Sequence, residues 1–413
     1  MSTTPDAVRA EFASWLDDRW DRSLSLIEWR RRLVGGGWAV PSWPESLYGR
    51  GLPTWADIVV REELHRAGAP GTPIGPGMQL AAPTLARHAT AELQERFLPP
   101  TLTGEMLWCQ LFSEPGAGSD LAGLSTTAEL DGDEWIVNGQ KVWNTSAHHA
   151  HYGLLLVRTD WDQPKHAGLS YLLLPMGQPG VEVRPLRQMN GHASFNEVFL
   201  TEARVPRGHV VGTLGEGWSV AKTTLAHERT FATMRRRSSR VPASSARAVL
   251  EAAAEAEEHF GTYAWYPQRA GRSDLLIERA QTLGLAGDPV IRQEIAKVYS
   301  LVRAGEWTMM RAAAARRAGR PPGPEGSVGK LAASRVAHRS AAAHGLIAGA
   351  RGLLKRSEDP LDAVVAEVLV STPAQSIAGG TDEIQRNIIA ERILGLPRQP
   401  DPYADRSFRE VPH

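Results

Sequence analysis

The spacing of apolar residues along this chain changes twice. From Asp6 to about Glu105, stretches such as AVRAEFASWLDDRW, WADIVVREELHRAG and ATAELQERF place apolar residues at helical spacing, with breaks at GGGWAVPSWP and GAPGTPIGPG. They predict a helical domain with long loops. From Leu107 to about Gly212 the period falls to two, in EWIVNGQKVW, YGLLLVRT, LSYLLLPM, VEVRPLRQ and FNEVFLTEARVP. That alternation predicts a β domain of several short strands. Asn138-Gly139, between Trp135-Ile136-Val137 and Lys141-Val142-Trp143, is the dipeptide a type I′ hairpin turn prefers. After Gly217 the helical period returns and lasts to about Gly395, in Ala-rich amphipathic stretches such as SSARAVLEAAAEAEEHF and SVGKLAASRVAHRSAAAHGLI. Four or more long helices with short breaks predict a bundle. Arg317 to Gly326 reads as a loop between two of them, and the tail from Pro397 is expected to be loose. The expected divisions are residues 1–106, 107–213, 214–396 and a tail, 397–413.

Length and composition narrow this picture. At 413 residues the chain exceeds one ordinary core, and two to three domains follow from about 150 residues per domain. With 42% hydrophobic residues, 22% charged and a net charge of zero, it has the profile of a soluble globular protein. Nothing in that balance points to nucleic acid. Cys109 is the only cysteine, which excludes an internal disulfide and a cysteine-ligated metal site. MSTTPDAVRA lacks a basic and an apolar leader region, and no run approaches the ~20 apolar residues of a membrane helix. A cytoplasmic protein without a membrane partner is the expectation.

Several local patterns fail as chemistry. His227-Glu228 opens like a zinc-protease motif, but Phe231 stands where the second histidine is needed. Gly329-Lys330 resembles the end of a phosphate loop, yet Pro324 replaces the first glycine and Leu331 the hydroxyl residue. His148, His149 and His151 read as loop histidines, and Gly35-Gly36-Gly37 has no preceding strand and reads as a plain loop. No metal site is expected.

The stretch Leu107 to Trp143, LWCQLFSEPGAGSDLAGLSTTAELDGDEWIVNGQKVW, is different. SEPGAGSD is a Pro- and Gly-bearing loop between β stretches, able to bring several backbone N–H groups to one ligand face, and Ser113 and Ser119 add hydroxyls. Further on, Trp143 and Thr145 offer a flat apolar wall beside a hydroxyl, suited to a planar heteroaromatic ring. A Gly-rich turn and a buried Trp are also ordinary features of a β domain, so the residues alone leave both readings open.

This stretch resembles the flavin-binding middle domain of the acyl-CoA dehydrogenases. The resemblance extends to RFLPPTLTGE before it, EVFLTEARVP and VGTLGEGW after it, and GGTDEIQRNIIAERILGLP near the end. It implies an α+β multidomain fold with an N-terminal all-α domain, a middle β-barrel-like domain and a C-terminal four-helix bundle. It further implies noncovalently bound FAD, an acyl-CoA thioester substrate oxidised to the trans-2-enoyl-CoA, an electron-transferring flavoprotein as partner, and a homo-oligomer or a heterotetramer with a related subunit. By position, Phe112, Ser113, Trp143 and Thr145 would line the isoalloxazine, Ser119 would lie near the flavin and the thioester end of the substrate, and Thr381 and Glu383 would contact the rest of the FAD. The family's Arg-x-x-Phe-Gly flavin contact is not recognisable in ERAQTLGLAGDP, and Arg279 is a doubtful substitute.

The reaction needs a carboxylate to remove the α-proton. Many members of the family carry a Glu just before a Gly-Thr pair, and here that residue is Gly379. In members resembling isovaleryl- and long-chain acyl-CoA dehydrogenases the Glu lies early in the C-terminal domain, the place of Glu228, with Arg229 beside it on the substrate side. Trp218, Ala221, Leu225, Glu228 and Ala232 follow at steps of 3, 4, 3 and 4, so Glu228 is expected on an apolar stripe where an unpaired carboxylate is costly. The resemblance gives Gly379 a catalytic part through its backbone N–H, which would polarise the thioester carbonyl, while its missing side chain leaves room for a bulky acyl group. Three alternatives stand beside this reading: a structural carboxylate at Glu228, a non-catalytic flavin- or CoA-binding subunit of a heteromeric enzyme, and a flavin oxidase or monooxygenase on the same fold.

Overall fold

The first helices begin where the sequence supplies caps. Thr4 Oγ1 accepts from the Ala7 amide at the start of α1 (Pro5–Arg19), and Ser25 and Glu28 form a reciprocal capping box ahead of α2 (Leu26–Gly35). The computed structural model describes residues 4–232, 244–318, 320, 323, 325–353 and 360–412. Pro324 and the side chains of Arg229, Phe231 and Ala232 lie outside the described residues. The described residues divide into two compact units, one of residues up to Leu186, Ser194–Thr262 and the segment from Pro402, the other of Arg187–Ala193 and Tyr263–Asp401.

In the first unit, α3 (Ala56–Ala67), α4 (Ala82–His88) and α5 (Ala91–Thr103) complete the leading helical region, and a π-helical turn, Gly77–Ala81, runs into α4. Phe12, Trp29, Leu33 and Trp38 form one apolar core there, as the helical periodicity requires. Seven strands follow: β1 (Trp108–Leu111), β2 (Thr127–Asp131), β3 (Glu134–Thr145), β4 (Tyr152–Arg158), β5 (Leu169–Pro175), β6 (Val181–Leu186) and β7 (Phe195–Pro206). They make one curled sheet in the order β1-β4-β2-β3-β7-β6, with β5 antiparallel to β4. The run LLLV of β4 is buried on both faces. Leu154 and Leu156 join a core shared with Phe97, Tyr171 and Val220, whereas Leu155 and Val157 join another with Cys109, Leu172 and Val198. Helix α6 (Gly217–Ala232) packs on β5 so closely that a side chain at Gly217 would collide with the Ser170 backbone. Helix α7 (Arg247–Gly261) lies against α2, where Glu255 pairs with buried Arg30.

Two expectations need correction. Asn138-Gly139 is not a hairpin turn. The β2–β3 hairpin closes six residues earlier at Gly132-Asp133, between paired Asp131 and Glu134, with Gly132 at φ 61°. Asn138 instead sits at a bulge inside β3, its Oδ1 accepting from the Glu202 amide at 2.8 Å, and a Cβ on Gly139 would stand 2.4 Å from Thr126 Oγ1. Pairing of β3 with β7 along its length overrides the local turn preference. Nor is the whole tail loose: Phe408 is buried, and residues around it hydrogen-bond to Trp161 and Gln163.

The second unit is helical, with α8 (Tyr266–Arg269), α9 (Leu276–Thr282), α10 (Pro289–Arg317), α11 (Glu325–Ala348), α12 (Pro360–Ser371), α13 (Pro373–Ile377) and α14 (Asp382–Arg392). Helix α11 packs against α10, α12 and α14 around Leu276, Ile291, Val298 and Ile347. Arg279 is buried in an ion pair with Asp362 of the same unit. The stretch Leu361–Arg392 has the length and hydropathy of a membrane-crossing helix. It is divided into α12, α13 and α14, by Thr372-Pro373 and then by the Ala378–Thr381 break.

Candidate active site

In the first unit the site grows from the loop Ser113–Asp120. Its opening turn is closed by two backbone bonds between Glu114 and Ala117, at 3.0 and 3.1 Å, and the Val142 amide donates to Ser113 O at 2.9 Å. Beneath it lies the Glu114 carboxylate, which accepts from the amides of Ser125 (2.7 Å) and Thr126 (2.9 Å) and from Lys141 Nζ (2.8 Å). Lys141 is fully buried and also donates to the carbonyls of Phe112 (3.1 Å) and Leu156 (2.7 Å). Burial alone would raise the Glu114 carboxyl, but the Lys141 charge and the donors outweigh it and hold it down at about 2. Burial pulls Lys141 down to about 8 against the attraction of Glu114, and the pair stays ionised at neutral pH. The loop is therefore anchored from below by a satisfied buried ion pair, with Ser119 left exposed at its far end.

Next to this anchor β3 bulges. Between Lys141 and Asn144 its pairing with β7 shifts register, and Trp143 is held at φ 64°, a conformation an L-residue with a bulky side chain rarely adopts. Trp143 is 57% exposed, and its indole meets the edge of Phe195 at 5.7 Å. Phe112 is buried edge-on to Tyr171, Ser113 and Thr145 are half-buried, and Thr145 ends β3. An exposed indole on a strained bulge, beside a loop whose Gly116 and Gly118 have open space at the Cβ position, fits the flat ring of a flavin. The sequence reading missed Gln110, Asn144 and Asn196. Asn144 Nδ2 donates to Gln110 O at 2.7 Å, Asn196 Nδ2 donates to Asn144 O at 2.8 Å, and the buried Asn144 Oδ1 meets no donor among the described residues. For Asn144 a signal was available: asparagine is a poor strand former, and this one directly follows Trp143.

Glu228 continues the buried line of α6. Gly217, Ala221 and Thr224 are buried and Glu228 follows one turn after Thr224, half-buried, with Gln110 Nε2 at 3.5 Å from Oε2. Trp218 and Leu225 pack against the adjoining core as the stripe predicted. His227 is pulled below its ordinary pKa by burial and then by Arg87. No group of three metal-ligating side chains occurs among the described residues.

In the second unit the break before α14 holds the two glycines. Gly379 has φ 71°, and nothing stands within 4 Å of where its Cβ would be. Gly380 has φ 85°, and its Cβ would fall 2.5 Å from the Gln385 amide nitrogen, which is buried and donates to Gly379 O at 3.2 Å. Thr381 is the N-cap of α14, its Oγ1 accepting from the Ile384 amide at 3.2 Å. Asp382 accepts from Lys330 (3.1 Å) and Ser376 (3.0 Å), so Lys330 belongs to this ion pair and to no phosphate loop. Glu383 is exposed and pairs with Arg386. Phe112, Ser113, Ser119, Trp143, Thr145 and Glu228 thus belong to the first unit, and Gly379, Thr381 and Glu383 to the second.

A helical, β, helical chain with this loop and bulge has the make-up of a flavoprotein oxidoreductase. The N-terminal, middle and C-terminal domains of acyl-CoA dehydrogenase match residues 3–105, 109–203 and 215–394. The chain belongs to the acyl-CoA dehydrogenase family, FAD-dependent enzymes that oxidise a CH–CH bond. It is 39% identical to the acyl-CoA dehydrogenase IpdE1 of Mycobacterium tuberculosis over 375 residues, 90% of this chain and 88% of that protein. Among solved structures, the ChsE4-ChsE5 complex from Mycobacterium tuberculosis matches at TM-score 0.64 and 27% identity, over 97% of this chain and 100% of that one. The Tcur3481-Tcur3483 steroid ACAD matches at TM-score 0.64 and 25% identity, over the same shares.

Proposed function

We propose that this acyl-CoA dehydrogenase acts on a branched, alicyclic or steroid-like acyl group, with Glu228 as its base. The open space at Gly379 carries the reading, because that position holds the carboxylate side chain in many members of the family and here presents no side chain at all. The likeness to a structure described as a steroid ACAD supports the same substrate class.

In this reading Glu228 takes the proton from Cα of the thioester, and Gln110 steadies its carboxylate from β1. The N–H of Gly379 donates to the thioester carbonyl and so raises the acidity of Cα. FAD, when bound, would supply the two-electron acceptor for the hydride that leaves Cβ to give the trans-2-enoyl-CoA. Phe112, Ser113, Trp143 and Thr145 would hold the flavin ring, and Thr381 and Glu383 the rest of the FAD. Ser119 serves the flavin and the thioester end, and Arg229 serves the substrate. An electron-transferring flavoprotein would be the electron partner, and reoxidation by it faster than by oxygen is the result that would favour a dehydrogenase over an oxidase or monooxygenase.

The test is anaerobic mixing of the purified protein with butyryl-CoA, isobutyryl-CoA, cyclohexanecarbonyl-CoA and a steroid carboxyl-CoA. The ring-bearing thioesters should bleach the flavin and butyryl-CoA should not; a profile that peaks on butyryl-CoA overturns the substrate class. Glu228→Gln should keep the yellow colour and slow bleaching by about 10²–10⁴-fold, the contribution of a general base. Bleaching at the original rate would sink the base assignment. The absent carboxylate at Gly379 also favours a second reading, a non-catalytic subunit of a heteromeric enzyme, and likeness to the ChsE4-ChsE5 complex is compatible with it. Bleaching that appears only after a related subunit is added would select that reading.

A further inference from the structure

Arg158 is an unusual residue for the end of a buried strand. It is 0% exposed, and no carboxylate hydrogen-bonds to it among the described residues. Its partners are three carbonyls: Nη2 donates to Ala122 O at 2.8 Å, Nε to Leu124 O at 3.3 Å and Nη1 to Lys165 O at 3.2 Å. Burial pulls its pKa down to about 10. What covers the cation is the tail. The Phe408 ring lies 3.4 Å from the guanidinium carbon, with Trp161 at 5.5 Å, and Phe408 itself is 1% exposed.

The tail is also fastened by its backbone. Phe408 N donates to Gln163 O at 3.0 Å, Arg409 N to Trp161 O at 3.1 Å, and Ser407 Oγ to Trp161 O at 3.0 Å. Pro164 and Ser407 form a β-bridge, and Arg409 pairs with Asp162. On its other side Arg158 grips the segment that leaves the Ser113–Asp120 loop, since Ala122 and Leu124 lie two and four residues past Asp120. A second route runs through Lys165, whose carbonyl holds Arg158 and whose ammonium pairs with Asp120. The loop is thus fixed at its start by Glu114 and Lys141, and at its exit by Arg158.

We infer that the segment Ser407–Arg409 is a positioning element for the exit of the Ser113–Asp120 loop, acting through the cation–π contact of Phe408 with Arg158. Ser119 lies on that loop, so the effect on catalysis rests on the substrate-site reading above. Phe408 and Arg158 are positioning residues and touch no reacting atom.

The test uses the full-length FAD-loaded protein carrying Phe408→Ala, Phe408→Leu or Phe408→Trp, with hydrogen exchange of residues 117–126 as the direct readout. Exchange there should rise by about thirtyfold in Phe408→Ala and Phe408→Leu, the factor that corresponds to losing a desolvated cation–π contact, and stay near the original in Phe408→Trp. The Leu variant keeps the slot filled, so it reports the lost ring even if the Ala variant does not fold. For an acyl-CoA that bleaches the flavin, KM should rise in the Leu variant while kcat holds. Faster exchange confined to residues 161–164, with 117–126 unchanged, overturns the inference. Faster exchange of 117–126 with an unchanged KM keeps the positioning and instead removes Ser119 from the substrate site.

Discussion

The chain carries two glycine-bearing loops that look alike as sequence, GAGSD after Glu114-Pro115 and AGGT before α14, and their glycines do opposite things. Gly116 and Gly118 have open space around them, and neither has a positive φ. The loop that contains them takes its shape from the buried pair Glu114–Lys141 and from backbone bonds to β3. Gly379 and Gly380 both require positive φ, and Gly380 is further confined by Gln385. One loop is set by side chains below it, the other by the conformational freedom of glycine itself.

Breaking the anchor should have the largest effect. Lys141→Met leaves Glu114 buried and unpaired, and a loss of about 3–5 kcal/mol is expected in chemical denaturation. An unchanged midpoint would show that the loop does not depend on the pair. The same pair sets an acid limit. Because the Glu114 carboxyl lies at about 2 in the folded protein against 4.5 for the free group, its contribution is full above 4.5 and is lost as pH falls from there toward 2. In thermal melts across that range, the wild type should lose more stability than Lys141→Met.

Substitutions at the second loop should cost less and should rank by position. Gly380→Ala carries the left-handed penalty and drives a Cβ into the Gln385 amide, so its cost exceeds that of Gly379→Ala, for which about 1–2 kcal/mol of backbone strain is the whole expectation. Equal melting temperatures for the two variants would refute the confinement by Gln385. Smallest of all, Gly116→Ala should stay within about 0.5 kcal/mol of wild type, as an open surface position does. A larger loss would mean that this glycine too is conformationally required.

Much of the architecture was legible because burial imposes a period. The helical, β, helical order follows from 3.6 and then 2 as the spacing of apolar residues, and the two-sided burial of β4 is written in LLLV. The hairpin at Asn138-Gly139 was misplaced because two good turn dipeptides lie six residues apart, and only the register with β7 selects Gly132-Asp133. Around the candidate site, Trp143 and Ser113 stood out from residue type, and Glu228 from the family resemblance with its place on a stripe in support. Gln110 and Asn196 did not, since their roles come from hydrogen bonds across strands far apart in the chain. The tail was read as loose for the same reason: nothing near Phe408 in sequence reveals the guanidinium it covers.

By itself, then, the sequence determined the periodicities, the caps of α1, α2 and α14, and a loop-and-strand motif specific enough to place the chain in its family. Tertiary structure decided which glycines are obligatory, that Lys141 is a buried anchor and not a surface charge, and that Arg158 is satisfied by carbonyls and aromatic rings. Local signals reach only a few residues because they depend on backbone preferences and helix or strand period. Ion pairing, desolvation and close approach depend on what the folded chain brings within a few ångströms, and those neighbours lie tens to hundreds of residues away.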